Sequence, residues 1–299
     1  MPVVEITNKK NLPQIMVDVA KNDTYTPVGE IGVTSLIDSP RIRVLKMNND
    51  YKEDASELIW SIFGTATHSV LERACENNDR YWSEVSLEYE IDGVKLGGTL
   101  DLYDKESKGL HDFKVTSVWS IVFGDRIPHW TAQLNIYRYL MHKNHPEVEV
   151  NSLSILTLLK DWTESQSRRD AEYPSTAVQE IPIRMGDLEK VEEFIRTRII
   201  EHKSAEHLYS IGEEMEICTE EERWAKPTKY AIKKPKRKTA LRVLDTMEDA
   251  ERWIKEKGAE GEVLSIEVRE GEDIRCTRYC PVREFCSYYK EKYEKERVE

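Results

Sequence analysis

The sequence predicts a mixed α/β fold: a central mixed sheet flanked by helices, followed by a small cysteine-bearing appendage. Three observations carry this expectation. Three strand-type runs follow one another between residues 84 and 117 with only short breaks. Segments on both sides of them carry apolar residues three and four apart, the repeat of a helix with one buried face. After Cys218 a smaller set of strand and helix patterns begins. Strands mixed with helices in this way point to layered α/β packing, with a core expected over residues 1–210 and a β-β-α-β appendage over 211–299.

Taken in order, the first clear element is ASELIWSIFGTATHSVLERA, residues 55–74. Ile59, Ile62, Phe63, Ala66, Val70 and Ala74 recur at helical spacing and mark the face expected to be buried. His68 falls about 180° from that stripe, so it is not expected to be a packed core histidine. EVSLEYEI (84–91), GVKLGGTLDLYD (93–104) and GLHDFKVTS (109–117) read as an antiparallel meander. Asp92-Gly93 between the first two is a hairpin signal, because both residue types accept positive φ.

HWTAQLNIYRYLMHKN (129–144) has helical spacing, and SLSILTLLKDW (152–162) is apolar enough for a buried strand. AVQEIPIRM (177–185) reads as another strand, and DLEKVEEFIRTRIIEHKS (187–204) as a helix capped by Asp187. In the appendage, KYAIKK and TALRVLD read as strands and VLSIEVRE as a third. TMEDAERWIKEKG between them reads as a helix started by Thr246 and stopped by Gly258. The closing CTRYCPVREFCSYYKEKYEKERVE is a cysteine cluster running into a charged helix.

With 299 residues, 39% hydrophobic, the chain can build a core that needs no disulfide staple. No apolar run approaches the ~20 residues of a membrane helix, and MPVVEITNKK lacks the pattern of a secretory signal. The expected location is therefore the cytoplasm, where five cysteines stay reduced and serve as thiols or metal ligands. A net charge of −12 argues against a general polyanion binder, although a local basic stripe can still steer nucleic acid. KYAIKKPKRK (229–238) is such a run, with Lys233, Lys234, Lys236, Arg237 and Lys238 and no acid. It reads equally well as a solvated turn between strands.

The chemistry concentrates in the meander. Asp101 interrupts one apolar run, and Asp112 and Lys114 stand two apart in the next, hence on one face of their strand while Phe113 turns away. Antiparallel pairing would deliver Asp101 beside Asp112. Two close carboxylates repel unless a cation neutralises them or one keeps its proton. Oxygen donors of this kind suit Mg2+ or Mn2+, and a neighbouring lysine could orient water for attack on phosphorus. An isolated D-x-K would be explained as well by two hairpin carboxylates bridged by a lysine. Gln133 and Tyr137 share one face of the following helix; an amide there could bond phosphate and a tyrosine could stack on a base.

Together, GTATH with His68, Asp101, the D112-F-K114 run and the Q133-L-N-I-Y137 helix resemble the PD-(D/E)xK nuclease superfamily. More narrowly they resemble its RecB-like branch of phage and CRISPR-associated exonucleases. The resemblance implies a restriction-endonuclease-like core in which His68, Asp101, Asp112 and the Phe113 carbonyl hold the ion. Lys114 is then catalytic, with Gln133 and Tyr137 flanking the site. A helper acid is implied upstream, with Glu88 in the matching place and Glu84 and Glu90 competing for the role.

Cys276, Cys280 and Cys286 crowd together near the C-terminal end, and Cys218 stands ahead of them. Four thiolates suit a tetrahedral zinc or an iron-sulfur cluster. The set resembles that of RecB-like nucleases holding a [4Fe-4S] cluster. Two departures, three residues between Cys276 and Cys280 and a lone cysteine after the nuclease motifs, keep Zn2+ as the alternative. Cys75 reads as a small core residue.

The resemblance implies a metal-dependent DNA exonuclease acting at single- or double-stranded ends, leaving 5′-phosphates, in recombination, replication or repair, with a protein of one of those processes as partner. Arg41 and Arg43 are expected to join the basic run on DNA. The competing expectation is a non-catalytic nucleic-acid-binding protein with a structural Zn or Fe-S site.

Overall fold

The computed structural model describes residues 2–23, 27–257 and 263–294; Gly258, the expected helix stop, lies outside them. The chain divides into two compact units, Met1–Met215 and Glu216–Glu299. Among the described residues no helix is long and apolar enough to cross a membrane.

The first unit begins with elements that the periodicity does not announce: β1 (Val4–Thr7), α1 (Gln14–Asn22), β2 (Ile31–Gly32), α2 (Val33–Ile37), α3 (Pro40–Asn48) and β3 (Tyr51–Asp54). They are short, and the parallel β1–β3 pair joins segments far apart in sequence. Then come α4 (Ala55–Cys75), β4 (Tyr81–Ile91), β5 (Val94–Asp104), β6 (Gly109–Thr116), α5 (Val118–Val122) and α6 (Ile127–Asn144). The unit closes with β7 (Ser152–Leu159), α7 (Glu164–Ser167), β8 (Val178–Ile183) and α8 (Leu188–Ser210).

Six strands form one mixed sheet, in the order β2-β5-β6-β7-β8 with β4 also on β5. The β4-β5-β6 meander is antiparallel, as the sequence predicts, and β6 runs parallel to β7. Asp92 and Gly93 both take positive φ at the first hairpin, the backbone that a two-residue turn requires. Asp187 caps α8 by accepting the Glu189 amide proton. The core joins Leu87, Leu96, Leu100 and Leu110 of the sheet to Leu134 and Leu140 of α6 and Ile195 of α8. This is the helix-flanked mixed sheet read from the pattern.

One feature of β5 positions everything that follows. Its first edge is taken by β4 along the whole strand. The other edge is shared, with β2 on Leu96–Gly97 and β6 on Leu102–Asp104. The two neighbours thus part between Gly98 and Asp101. There Tyr137 of α6 leans in so closely that a Cβ on Gly98 would meet its ring at 2.9 Å.

The structure corrects the reading of α4. Phe63, Ala66, Val70 and Ala74, expected to be buried, are exposed, and Trp60 with them. Ala55 at the start of the helix is buried, and Leu58 and Ile62 pack against the small cluster that it forms with Val17 and Ala20. The helix instead turns its histidine side to the sheet, where His68 Nε2 lies 3.2 Å from the Phe113 carbonyl oxygen. Cys75, read as a core residue, is half-buried at the end of that helix.

The second unit holds α9 (Glu220–Arg223), β9 (Ala225–Lys226), β10 (Lys229–Lys233), β11 (Arg242–Leu244), α10 (Met247–Lys257), β12 (Ser265–Arg269) and β13 (Glu272–Asp273). Short helical turns follow at Arg275–Tyr279 and Arg283–Phe285, then α11 (Ser287–Tyr289) and a turn at Lys290–Glu294. β10 is the middle strand between β11 and β12. Thr246 starts α10 by accepting the Asp249 amide proton. Among the described residues the buried apolar set is small: Ala231, Ile232, Ala250, Val282, Cys286 and Tyr289.

Much of this unit's order runs through one carboxylate. Buried Asp273 accepts hydrogen bonds from Tyr288, Tyr293 and Lys292 and pairs with Arg223. Burial alone would raise its pKa, but these partners outweigh it and bring it down to about 2. A depressed carboxyl pKa contributes stability that is present above the unfolded value and is lost as pH falls through the folded one. Between about pH 4 and pH 2 the second unit is therefore expected to lose protection in hydrogen exchange. Asp273→Asn should remove that acid step and cost about 2 kcal/mol at neutral pH.

Candidate active site and metal centre

The register puts Asp101 and Asp112 one step beyond the last β5–β6 pair, Leu102 with His111. At that step the ladder gives way to a side chain. Asp101 Oδ2 accepts the Phe113 amide proton at 2.7 Å, and its Oδ1 faces His68 Nδ1 at 3.6 Å. Asp112, 1% exposed, accepts a hydrogen bond from Gln133 Nε2 at 3.0 Å on Oδ1. Its Oδ2 lies 2.6 Å from Lys114 Nζ but accepts no well-aligned hydrogen bond. Asp112 and Lys114 thus emerge together, two apart on β6.

A third acid joins them. Glu84 Oε1 lies 3.8 Å from His68 Nδ1. Among the described residues, His68, Glu84 and Asp101 are the group of metal-type ligands with donor atoms all within 4.8 Å of one another. Ser83 and Val85 pair with Leu102 and Leu100, so Glu84 stands opposite Asp101. Its φ of +50° is a left-handed backbone that glutamate rarely adopts, a strain that gathers at functional sites. Glu88, the expected helper position, is directed to Lys95 at 3.8 Å instead. Glu84, Glu88 and Glu90 all fall on alternate positions of one strand, so only the distorted backbone distinguishes the first.

The electrostatics show how crowded the acids are. Burial, then the Asp112 charge, pushes the Asp101 carboxyl up to about 7, against the pull of His68 and Lys114. The Glu84 carboxylate raises the His68 imidazole above its ordinary value; burial opposes this, and Asp101 adds to it. Burial works against the Lys114 ammonium, but Asp112 and Asp101 overcome it and hold its pKa above that of an ordinary lysine. Lys114 is therefore a cation and a hydrogen-bond donor here. The cluster draws protons and positive charge, which is what a divalent ion supplies in their place.

Tyr137 is buried against Gly98 beside the site, one helical turn from Gln133. Arg41 and Arg43, expected to join the basic run, are paired with acids of the first unit. Arg41 is 4% exposed, donating to the Met215 carbonyl and pairing with Glu214 at 2.7 Å; Arg43 pairs with Glu206 at 2.5 Å. Their acids lie more than 160 residues away in sequence, which hides the pairing from local inspection. Lys233 is half-buried beside Glu267, whereas Lys234, Lys236, Arg237 and Lys238 are exposed on the turn after β10.

Among the described residues the cysteines form no disulfide. Burial, then Asp273, Cys218, Cys280 and Cys286, pushes the Cys276 thiol up to about 12. Cys276 therefore lies near enough to the other three cysteines of the expected set to feel their charge.

The PD-(D/E)XK nuclease superfamily matches residues 67–287. No curated protein sequence matches the chain. Among solved structures, the crystal structure of SSO0001 is similar, at 18% identity and a TM-score of 0.42, covering 62% of this chain and 84% of that one. A phage-related exonuclease from Haemophilus somnus 129PT is similar at 11% identity and a TM-score of 0.38, covering 64% and 99%. The matched span holds His68, Glu84, the Asp101–Asp112 pair, Lys114 and the four cysteines, and the chain belongs to the PD-(D/E)XK nuclease superfamily.

Proposed function

We propose that the protein is a divalent-metal-dependent DNA exonuclease of the RecB-like kind. It would hydrolyse phosphodiester bonds at DNA ends to leave 5′-phosphates, and its second unit would carry a [4Fe-4S] cluster. The observation that supports this best is the pressed acid pair: Asp101 is raised to about 7 beside Asp112, whose Oδ2 lacks a well-aligned donor. These groups fit a hard cation. Asp101, Asp112, Glu84, His68 and the Phe113 carbonyl would hold it, a donor set rich in oxygen and suited to Mg2+ or Mn2+. When bound, the ion would supply Lewis-acid polarisation of the phosphodiester.

The remaining work falls to the protein. Gln133 pins one oxygen of Asp112 and leaves the other toward Lys114. The Lys114 ammonium can donate to the attacking water or to a phosphoryl oxygen and so fix the line of approach. In-line displacement forms a bond from water oxygen to phosphorus and breaks the bond to the 3′ oxygen, leaving a 5′-phosphate and a 3′-hydroxyl. Lys234, Lys236, Arg237 and Lys238 would add salt-sensitive backbone contacts. Action at ends, and a place in recombination, replication or repair, rest on the resemblance in motif order.

For the cysteines, four thiols in one small unit suit a cluster, and the resemblance in motif order favours iron-sulfur over zinc.

End-labelled single- and double-stranded DNA incubated with Mg2+ or Mn2+ tests the proposal. Stepwise shortening from an end, 5′-phosphorylated products and arrest by chelator are expected. Cutting of covalently closed circles would overturn the end-directed reading, and undiminished cutting in chelator would overturn the metal.

A further inference from the structure

The exposed side of α4 carries Trp60 and Phe63, 57% and 48% exposed; α5 carries Trp119, 47% exposed, and Phe123, 74% exposed, caps its C-terminal end. A soluble fold has no packing reason to leave four large rings in water. Nor are they loose. Trp119 and Phe123 stack at 5.7 Å with planes 21° apart, and the edge of Trp119 is held against buried Tyr173. Trp60 meets Phe63 edge-on, and the Lys160 ammonium sits 3.8 Å over the Trp60 ring.

The two pairs belong to one junction. The Lys160 amide donates to the Thr116 carbonyl at the end of β6. The next residue, Asp161, accepts from the Ser117 hydroxyl and the Val118 amide and so fastens the start of α5. Lys160 thus bridges the helix bearing Trp119 to Trp60. That junction is continuous with the candidate active site: Trp119 follows Lys114 by five residues, and Trp60 precedes His68 on α4 by about 12 Å of helix rise.

We infer that Trp60, Phe63, Trp119 and Phe123, with Lys160, form a stacking platform for unpaired bases next to the bond being cut. In a duplex every base face but the outer face of the end pair is covered by a neighbour, so exposed rings gain far more stacking from single-stranded bases. Such stacking is tolerant of sequence, and a cation among the rings serves the adjoining phosphates. The substrate entering the site is accordingly a single strand, or a duplex end already unpaired. This inference rests on the nuclease reading for the placement of the scissile bond.

The test measures binding of labelled oligo(dT) and of a blunt duplex by fluorescence anisotropy, in an Asp112→Asn background that spares the probe. Trp60→Leu with Trp119→Leu is expected to weaken oligo(dT) binding about tenfold or more and to leave duplex binding unaltered. Trp60→Phe with Trp119→Phe keeps the rings and should restore most of the affinity. Equal loss on both probes, no loss on oligo(dT), no rescue by Phe, or rings that serve only self-association of the protein would each overturn the platform. If the wild-type protein does not cleave DNA while the oligo(dT) contrast holds, the nuclease reading fails and the platform stands. Cleavage without the contrast gives the reverse.

Discussion

Asp112→Asn is expected to cut DNA hydrolysis by about 1000-fold or more, and Lys114→Ala by a similar factor. Asparagine keeps the size of the side chain and can still accept from Gln133, so the loss reports charge and not collapse. Single-turnover cleavage of an end-labelled oligonucleotide measures it. The variant has a second signature. In the metal-free protein the raised Asp101 carboxyl contributes stability below its unfolded value that is lost as pH rises toward about 7. Wild-type melting in chelator should therefore fall from about pH 4 to pH 7. In Asp112→Asn the repulsion is gone while burial remains, so that slope should become shallower. A slope unchanged by the substitution would mean that the two acids do not press on each other. Glu84→Gln, at one of several proposed ligands, should weaken Mn2+ binding by about 10- to 100-fold.

The second large effect concerns Cys276→Ser. The second unit buries few apolar side chains, and small cores commonly depend on a metal staple. Protein purified without oxygen should be brown, absorbing near ~400 nm as iron-thiolate clusters do. The serine variant should lose iron, sulfide and colour together, and hydrogen exchange should rise across residues 216–294 while the first unit keeps its protection. With a Cys276 thiol at about 12, loading the site must release protons, which pH-stat titration can count. Cys75→Ser, on α4, should keep the colour. A colourless wild-type protein holding one zinc would establish the alternative metal.

Legibility followed the range of the interaction concerned. Asp101, Asp112 and Lys114 could be read because strand alternation and the Asp92-Gly93 turn are local signals. The orientation of α4 could not be read. Periodicity finds an apolar stripe and assumes that water drives it inward, but here that side stays exposed while His68 is drawn toward Phe113 and Asp101. Glu84 was one of three equivalent glutamates until the backbone at that residue distinguished it. Arg41 and Arg43 looked like surface cations because their partners, Glu214 and Glu206, are brought near only by tertiary folding. The N-terminal strands run two to four residues, too few for a period to emerge.

Residue 113 contributes through its peptide group, giving an N–H to Asp101 and turning a carbonyl toward His68. The genetic code has little purchase on such chemistry. Exchanging the phenyl ring for another bulky apolar group would change its edge contact with the His68 ring, 5.9 Å between centroids, yet leave both main-chain contacts in place. One corner of the centre is thereby insulated against most single-codon change, while its acids remain vulnerable to every one.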